Sequence, residues 1–513
     1  MVCPGGALHA RATFARRATT AGRVGAEAGR DEETIVNQAI ALLEQLSADD
    51  AAWLTETAAE RSLRQGEVLI TAGGTLDELY LVVQGLLGVV ADEEGTQLAV
   101  LGAGELVGEM SLVSDTPPTE TVRALEDTTV LVLSHAALRE RAAQEPEFAV
   151  RFHAALARLL AERLRTANRR LRVSTGDAAV AAGGHPAWVR IEQGLDALKQ
   201  RLRDADEMAP NPGDELPEEF AAETVTRFQE FCDVLNDVVE HEVDNERVRE
   251  ELGLRVQREL LPYILLADTA ERFYRKPRGY AGDYWSIELL YRDQPAGDTA
   301  VGRLVDRCVI ECPAARAVRN RRSLLADVIG ETLAERSTSP ARITSLACGP
   351  AREAFDVFAG LDDPSVLHAT LLDIDLYALA YVGDLAKERG ISRQLTLEHG
   401  NLIHLALGRT HTDIADQDLV YSIGITDYFA DELVVRMLDL AHSMLRPGGR
   451  VVLGNVHPNN PSRALLDHIL DWRLIHRTEE DFDRLFTASA FGKPCTRVQF
   501  EEQGLNMFAE CAR

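Results

Sequence analysis

Nowhere in the 513 residues is there an apolar run long enough to cross a bilayer, since a spanning helix needs about 20 such residues in succession. An apolar leader segment is missing too, which argues against secretion. The seven cysteines are scattered and never fall in the paired spacing of a zinc site. They suit a reducing cytosol, so a cytoplasmic location and no bound metal are expected. Cys308 and Cys312 share a helix face, where core packing is the expected role. Positive charge is also scarce: 54 Lys and Arg stand against 82 Asp and Glu, a formal net charge of −28. A broad nucleic-acid surface is thereby excluded, because such affinity rests on neutralising phosphates. A local basic pocket is still permitted.

What is present divides into zones, and the length predicts about three domains. Residues 1–34 are rich in Arg and Ala with few acids, faintly like a transit peptide, and read as a disordered tail or an over-extended start. From Leu46 to Leu133 short apolar strands alternate with glycine turns, as in Leu79-Tyr80-Leu81-Val82-Val83-Gln84-Gly85. Such spacing predicts a small β jelly-roll barrel. Phe152, Leu156, Leu160, Leu164 and Leu171 then recur at helical spacing, giving an amphipathic helix that pairs with its copy in a homodimer or packs back on the barrel. Residues 173–184 read as a linker, and 185–335 as helices over 188–202, 220–242 and 246–261 followed by further helical pattern. Within that zone the run Arg272 to Trp285 concentrates cations and aromatics in a Gly- and Pro-containing loop. It suits a pocket for an anionic, partly apolar molecule, with Lys276, Arg278 and Tyr280 as its binding side chains.

The last zone, 336–513, carries ordered α/β signals. Ile343 to Leu346 is a buried strand, Ala347-Cys348-Gly349-Pro350 a tight turn, and a helix follows. Strand, turn and helix N-terminus together form a ligand edge in a doubly wound sheet. A second strand ends in Asp373-Ile374-Asp375, a third near His399, and a fourth spans Asp418 to Gly424. Arg446-Pro447-Gly448-Gly449-Arg450 leads into a fifth. The three-glycine dinucleotide fingerprint is absent, which disfavours a dehydrogenase. The ordered set resembles class I S-adenosylmethionine-dependent methyltransferases, and the implied fold is a Rossmann-like doubly wound α/β domain. That resemblance implies S-adenosyl-L-methionine as cofactor. Ala347, Cys348 and Gly349 would lie beneath its methionine part, Asp373 at the ribose with Asp375 as second candidate, Asn401 beside the adenine, and Ser422 among the remaining contacts. An Asp at 375 also suits a helix cap.

Two further resemblances refine this. Gly102 to Leu112 looks like the phosphate-binding cassette of cyclic nucleotide-binding domains, over roughly residues 35–172, with Gly108 and Glu109 matching its Gly-Glu pair. Where the family has an Arg that forks onto the cyclic phosphate, this chain has Pro118, and Glu120 adds a negative charge. Losing a bidentate guanidinium removes the strongest phosphate contact. The barrel is therefore expected to be a scaffold, an oligomerisation unit or a receptor for another ligand rather than a cyclic nucleotide sensor. No recognition-helix pattern follows it, so a transcription factor is disfavoured.

Over 185–513 the segments Lys276 to Asp283, Ser345 to Glu353, and Gly454 to Pro461 with Asp471 to Arg477 are similar to proteins of extracellular factor (3-hydroxypalmitic acid methyl ester) biosynthesis. That implies methyl transfer to a fatty-acid carboxylate, giving a diffusible ester signal in bacteria. A carboxylate is already nucleophilic at neutral pH, so alignment rather than a strong base supplies most of the catalysis. Lys276 or Arg278 would hold the anion, with Asn455 and Trp472 near it. Tyr280, Tyr421 and His457 would orient it, and His457 is the natural base if the acceptor is a hydroxyl or amine. A small-molecule-sensing signalling protein and a natural-product O- or N-methyltransferase are the competing readings.

Overall fold

The computed structural model describes residues 50, 53–54, 57–90, 97–101, 105–114, 116–125, 127–157, 160, 186–211, 213–276, 278, 281–335, 340–408 and 410–513. The tail at 1–34, the linker at 173–184 and Tyr280 lie outside the described residues.

Eight short strands form the N-terminal barrel: β1 (Ala59–Leu63), β2 (Val68–Ile70), β3 (Glu78–Gln84), β4 (Leu87–Val90), β5 (Gln97–Leu101), β6 (Leu106–Val107), β7 (Thr121–Ala124) and β8 (Thr128–Ser134). They make two antiparallel sheets, ordered β1-β8-β3-β6 and β2-β7-β4-β5. Period-two alternation assigns the faces of β3. Tyr80 and Val82 fill the barrel, while Leu79 packs outside it with Leu133 and Leu138. Phe148, Phe152 and Leu156 complete that outer cluster, so the first turns of the helix after the barrel lie back on it.

Seven helices of eight residues or more make up the middle region: α1 (Pro186–Met208), α2 (Glu218–Asp237), α3 (Glu246–Ile264), α4 (Asp268–Arg275), α5 (Tyr284–Arg292), α6 (Ala300–Ile310) and α7 (Pro313–Glu335). Helix α2 runs into a π-helical turn, Val238–Glu242, which its apolar period gave no hint of. Helix α3 continues through Pro262 to Ile264, beyond the expected end near Leu261. The helices share one core that also takes in Leu465, Leu466, Ile469 and Leu470 from the C-terminal part of the chain. Gly253 makes that entry possible, since a Cβ there would lie 2.3 Å from the His468 ring.

The C-terminal sheet has seven strands: β9 (Ala341–Leu346), β10 (Leu367–Asp373), β11 (Leu395–His399), β12 (Gln417–Ser422), β13 (Leu445–Val456), β14 (Arg497–Phe500) and β15 (Asn506–Ala512). Their order is β11-β10-β9-β12-β13-β15-β14, parallel except for β15, which runs antiparallel to both β13 and β14. Helices on both faces bury two separate apolar layers, which is why the parallel strands read as continuous apolar runs. The order reverses between β9 and β12, and in such sheets that switch opens a crevice at the carboxyl edge. The expected multidomain arrangement of jelly-roll barrel, helical middle and doubly wound α/β sheet is what the chain forms.

One buried carboxylate fixes the helical layer above that crevice. Asp306 accepts from the backbone N–H of Thr269, Ala270 and Ala296 at 2.8–3.1 Å and from the Thr269 hydroxyl at 2.9 Å. Asp306→Ala strands three amides in the interior and is expected to destabilise the protein by ~3 kcal/mol or more. Chemical denaturation monitored by circular dichroism checks this, and a loss within ~0.5 kcal/mol would remove Asp306 as the fastener of α4 to α6.

Candidate active site

At the carboxyl edge of the sheet, beneath the helices, lies a cavity of about 560 Å³. Its floor is the turn after β9. Ala347, Gly349 and Ala351 all have positive φ, at 56°, 53° and 48°, a backbone path that turns peptide groups toward the crevice. The Gly349 N–H donates to Asp373 Oδ2 at 2.8 Å, and the Asp375 N–H donates to Oδ1 at 2.9 Å. Asp373 therefore clamps the first turn to the end of the second strand. Burial pushes its pKa up, and the amide donors pull against that shift.

Seven of the residues singled out in the sequence line the cavity: Ala347, Cys348, Gly349, Asp373, Asn401, Arg278 and Trp472. Asn401 also caps the short helix Leu402–Ala406 through the N–H groups of Ile403 and His404. Asp375 does not line it. Its carboxylate caps helix α8 (Leu376–Glu388) and meets Arg278 at 3.3 Å. Arg278 is held over the rings of Tyr284 and Tyr377, 4.9 and 4.2 Å from their centroids.

The remaining predicted residues are placed elsewhere. Ser422 is buried and donates to the Leu346 carbonyl. Lys276, 3% exposed, points its ammonium at the Asp471 carbonyl, 2.7 Å away. Asn455 is locked in a buried network with Thr426 and Arg477. Tyr421 lies within the sheet and donates to Glu353 at 2.9 Å, so Glu353 faces the cavity with Tyr421 behind it. His457 sits outside the cavity lining, 3.3 Å from Glu479 and edge-on to Phe500. Segment 471–478 forms neither helix nor strand. Its amides are spent on tertiary partners instead, Ile475 N–H on the Asp427 carbonyl and Arg477 N–H on that of Val456.

The basic loop is mostly self-occupied. Arg272 Nη2 donates to both carboxylate oxygens of Asp283, at 2.8 and 2.9 Å, and Arg275 pairs with Glu271. Among the described residues, that leaves Arg278 as the cation of the run that lines the cavity, beside Phe273, Ala281, Gly282 and Tyr284.

Several wall residues were not singled out as site residues in the sequence. Arg321, on α7, is 7% exposed and lines the cavity, and its Nε has no hydrogen-bond partner. No carboxylate lies within ion-pair distance of it among the described residues. Gly424, at φ 67°, leaves it space, since a Cβ there would come within 3.0 Å of Nη1. Asp427, 3% exposed, accepts from the Val456 N–H at 2.7 Å, and burial pushes its pKa up to about 6. Burial likewise raises Glu353. Tyr428 accepts from Trp472 Nε1 at 2.8 Å and donates to the Ala281 carbonyl at 3.1 Å, joining the basic loop, the sheet edge and the strap at 460–472 into one wall. No helix among the described residues is long and apolar enough to cross a membrane, and no metal-binding cluster occurs among them.

The barrel's cassette shows its own departures. Gly108, φ 94°, admits no side chain, because a Cβ would meet the Glu78 carbonyl at 2.7 Å. Glu109 is 3% exposed. The Pro118 carbonyl accepts from Gly73 N–H at 2.7 Å, tying the cassette to the turn before β3.

Comparison with known proteins divides the chain in the same way. Residues 60–145 match the family described as "Cyclic nucleotide-binding domain", and residues 279–506 match the one described as "Putative methyltransferase". "Uncharacterized protein YnbC" of Escherichia coli is 24% identical over 230 residues, 43% of this chain and 38% of that protein. The chain spans well under half the length of the curated relatives it matches. Among solved structures, a "possible exported protein" from Bordetella parapertussis is 17% identical with a TM-score of 0.41, covering 57% of this chain and 96% of that one. A cyclic nucleotide-binding domain from Methylobacillus flagellatus is 26% identical with a TM-score of 0.24, covering 26% of this chain and 82% of that one. The chain thus matches a cyclic nucleotide-binding family in its N-terminal part and this methyltransferase family in its C-terminal part, and the cavity is built almost wholly from residues of the latter match.

Proposed function

We propose that this protein transfers the methyl group of S-adenosylmethionine to the carboxylate of an apolar acid, a fatty acid or 3-hydroxy fatty acid, giving its methyl ester. One observation carries the acceptor class: a buried guanidinium, Arg321, lines an otherwise largely apolar cavity with no carboxylate within ion-pair distance among the described residues. Such a cation calls for an anion, and a fork-shaped donor suits a carboxylate. In this reading the turn Ala347–Gly349 supports the methionine portion of the cofactor. Asp373 and Asn401 face its ribose and adenine, and Ile374, 53% exposed at the rim, packs on the base.

The cofactor supplies an electrophilic methyl. The protein's own part is to hold the acceptor oxygen in line with it and to exclude water. Arg321 takes the anion-holding role expected of Lys276 or Arg278, and no general base is required. The barrel serves as a scaffold or as a receptor for some other small molecule, in keeping with Pro118 in place of the phosphate-holding Arg.

Incubation with methyl-labelled S-adenosylmethionine and a panel of plain and 3-hydroxy acids, read by mass spectrometry, should give labelled methyl esters at a rate cyclic AMP leaves unchanged. Cofactor binding without any ester would overturn the acceptor class. Arg321→Gln should lower kcat/KM for the acid by ~30-fold or more, the scale of losing one partner of a buried charge pair. Its affinity for S-adenosylmethionine should stay unchanged by calorimetry.

Asp427 adds a pH dependence. Its raised pKa, about 6, means that it gains charge as pH rises through that value, and Arg321 and Arg477 are the cations acting on it. An ionised Asp427 competes with the acceptor for Arg321, so KM for the acid should rise between about pH 5 and 7. Asp427→Asn should flatten that rise, and an unchanged slope would exclude the competition.

A further inference from the structure

The cavity is polar at one end and apolar at the other, and a single helix runs between the two. Asp373, Asn401, Glu353 and Asp427 surround the sheet edge, while Phe273, Leu290, Val309, Leu466 and Leu470 close the end inside the helical layer. Helix α7 contributes Ala314, Ala317, Val318 and Arg321 to the wall. Those positions are spaced i, i+3, i+4, i+7 and so form one stripe along one face. From Arg321 back to Ala314 the stripe covers about 10 Å at 1.5 Å per residue.

An acid whose carboxylate rests on Arg321 has its chain directed along this stripe, toward the N-terminus of α7. The stripe is lined by small side chains where a Leu or Phe would fill the channel. Ala317 is fully buried, whereas Ala314 and Val318 are only partly so, although both pack against the helical core. Both line the cavity. The far end is fixed rather than open. The Ala314 N–H donates to Ser462 Oγ, and Gln257 Nε2 donates to the Ile469 carbonyl, which hold the strap bearing Leu466 and Leu470 across it.

We propose that Ala314 and Val318 are the chain-length gauge of the acceptor site, an inference that rests on the carboxylate reading above. Side-chain volume at these two positions sets how long an apolar tail fits once its head is on Arg321. A linear chain follows the stripe, and a bulky or branched tail meets Val318. Each methylene accepted or refused by such a pocket changes discrimination by ~tenfold or more.

The test measures kcat/KM for saturated acids of graded length, with labelled S-adenosylmethionine and the full-length chain. Ala314→Leu should lower the ratio of long-chain to short-chain kcat/KM by ~tenfold or more. Val318→Ala should move the ratio the other way. Affinity for S-adenosylmethionine, measured by calorimetry, should be unchanged in both. If both variants scale every acid equally, or if the loss lies in cofactor affinity, the gauge is overturned while acid methylation stands. Should Ala314→Leu fail to fold, the truncation at the partly buried Val318 decides alone: a shift supports the gauge and an unshifted profile ends it. If the wild-type chain esterifies no acid of any length, the carboxylate reading fails and the gauge with it.

Discussion

A guanidinium enclosed by apolar side chains is the constraint around which the rest of this site is arranged. Taking a charge out of water costs several kcal/mol even after relaxation, and a fold carries that cost only where something compensates it. Around Arg321 the compensation is partial. Asp427 and Glu353 act on it at a distance, Tyr291 approaches it, and Nε is left without a partner. Burial disfavours the charged form of both acids, so below about pH 6 the cation dominates. A cavity so built favours an anion joined to an apolar body.

The layers above and below serve that arrangement. The parallel sheet delivers the Gly349 turn and the Asp373 clamp on one side. The helical layer brings Arg321 over from the other, and the strap at 460–472 threads back from the sheet into the helices to close the end. Each crossing is fastened by a specific contact: Ala464 N–H on Asn236, Lys276 on the Asp471 carbonyl, and Trp472 on Tyr428. The two π-helical turns, Val238–Glu242 and Leu465–Ile469, meet at this junction, and the Arg463–Glu240 pair at 3.1 Å bridges them.

Much of this was legible in the sequence for physical reasons. Strands buried on both faces read as unbroken apolar runs, so β9, β10, β12 and β13 could be found, as could the acid ending β10. The hairpin β14–β15 was not, because its outer strand is half exposed and carries no such run. Arg321 was hidden among Arg316, Arg319 and Arg322. Those three pair with Glu311, Asp293 and Asp356, so they belong to a charged face. The phase of Ala314, Ala317 and Val318 was the signal that would have turned Arg321 inward. No local pattern could reveal that Lys276 spends its charge on a carbonyl 195 residues away, or that His457 faces Glu479 instead of the cavity. Both depend on where the strap goes.

Head-group recognition in the cavity can be measured directly. Calorimetric titration of the protein, saturated with S-adenosylhomocysteine, should compare a long-chain acid with the primary alcohol of equal length. The acid should bind, and the alcohol, matched in apolar surface, should bind at least ~tenfold more weakly. Equal affinity for the two would mean that Arg321 does not read the head group, and would contradict the account at its centre.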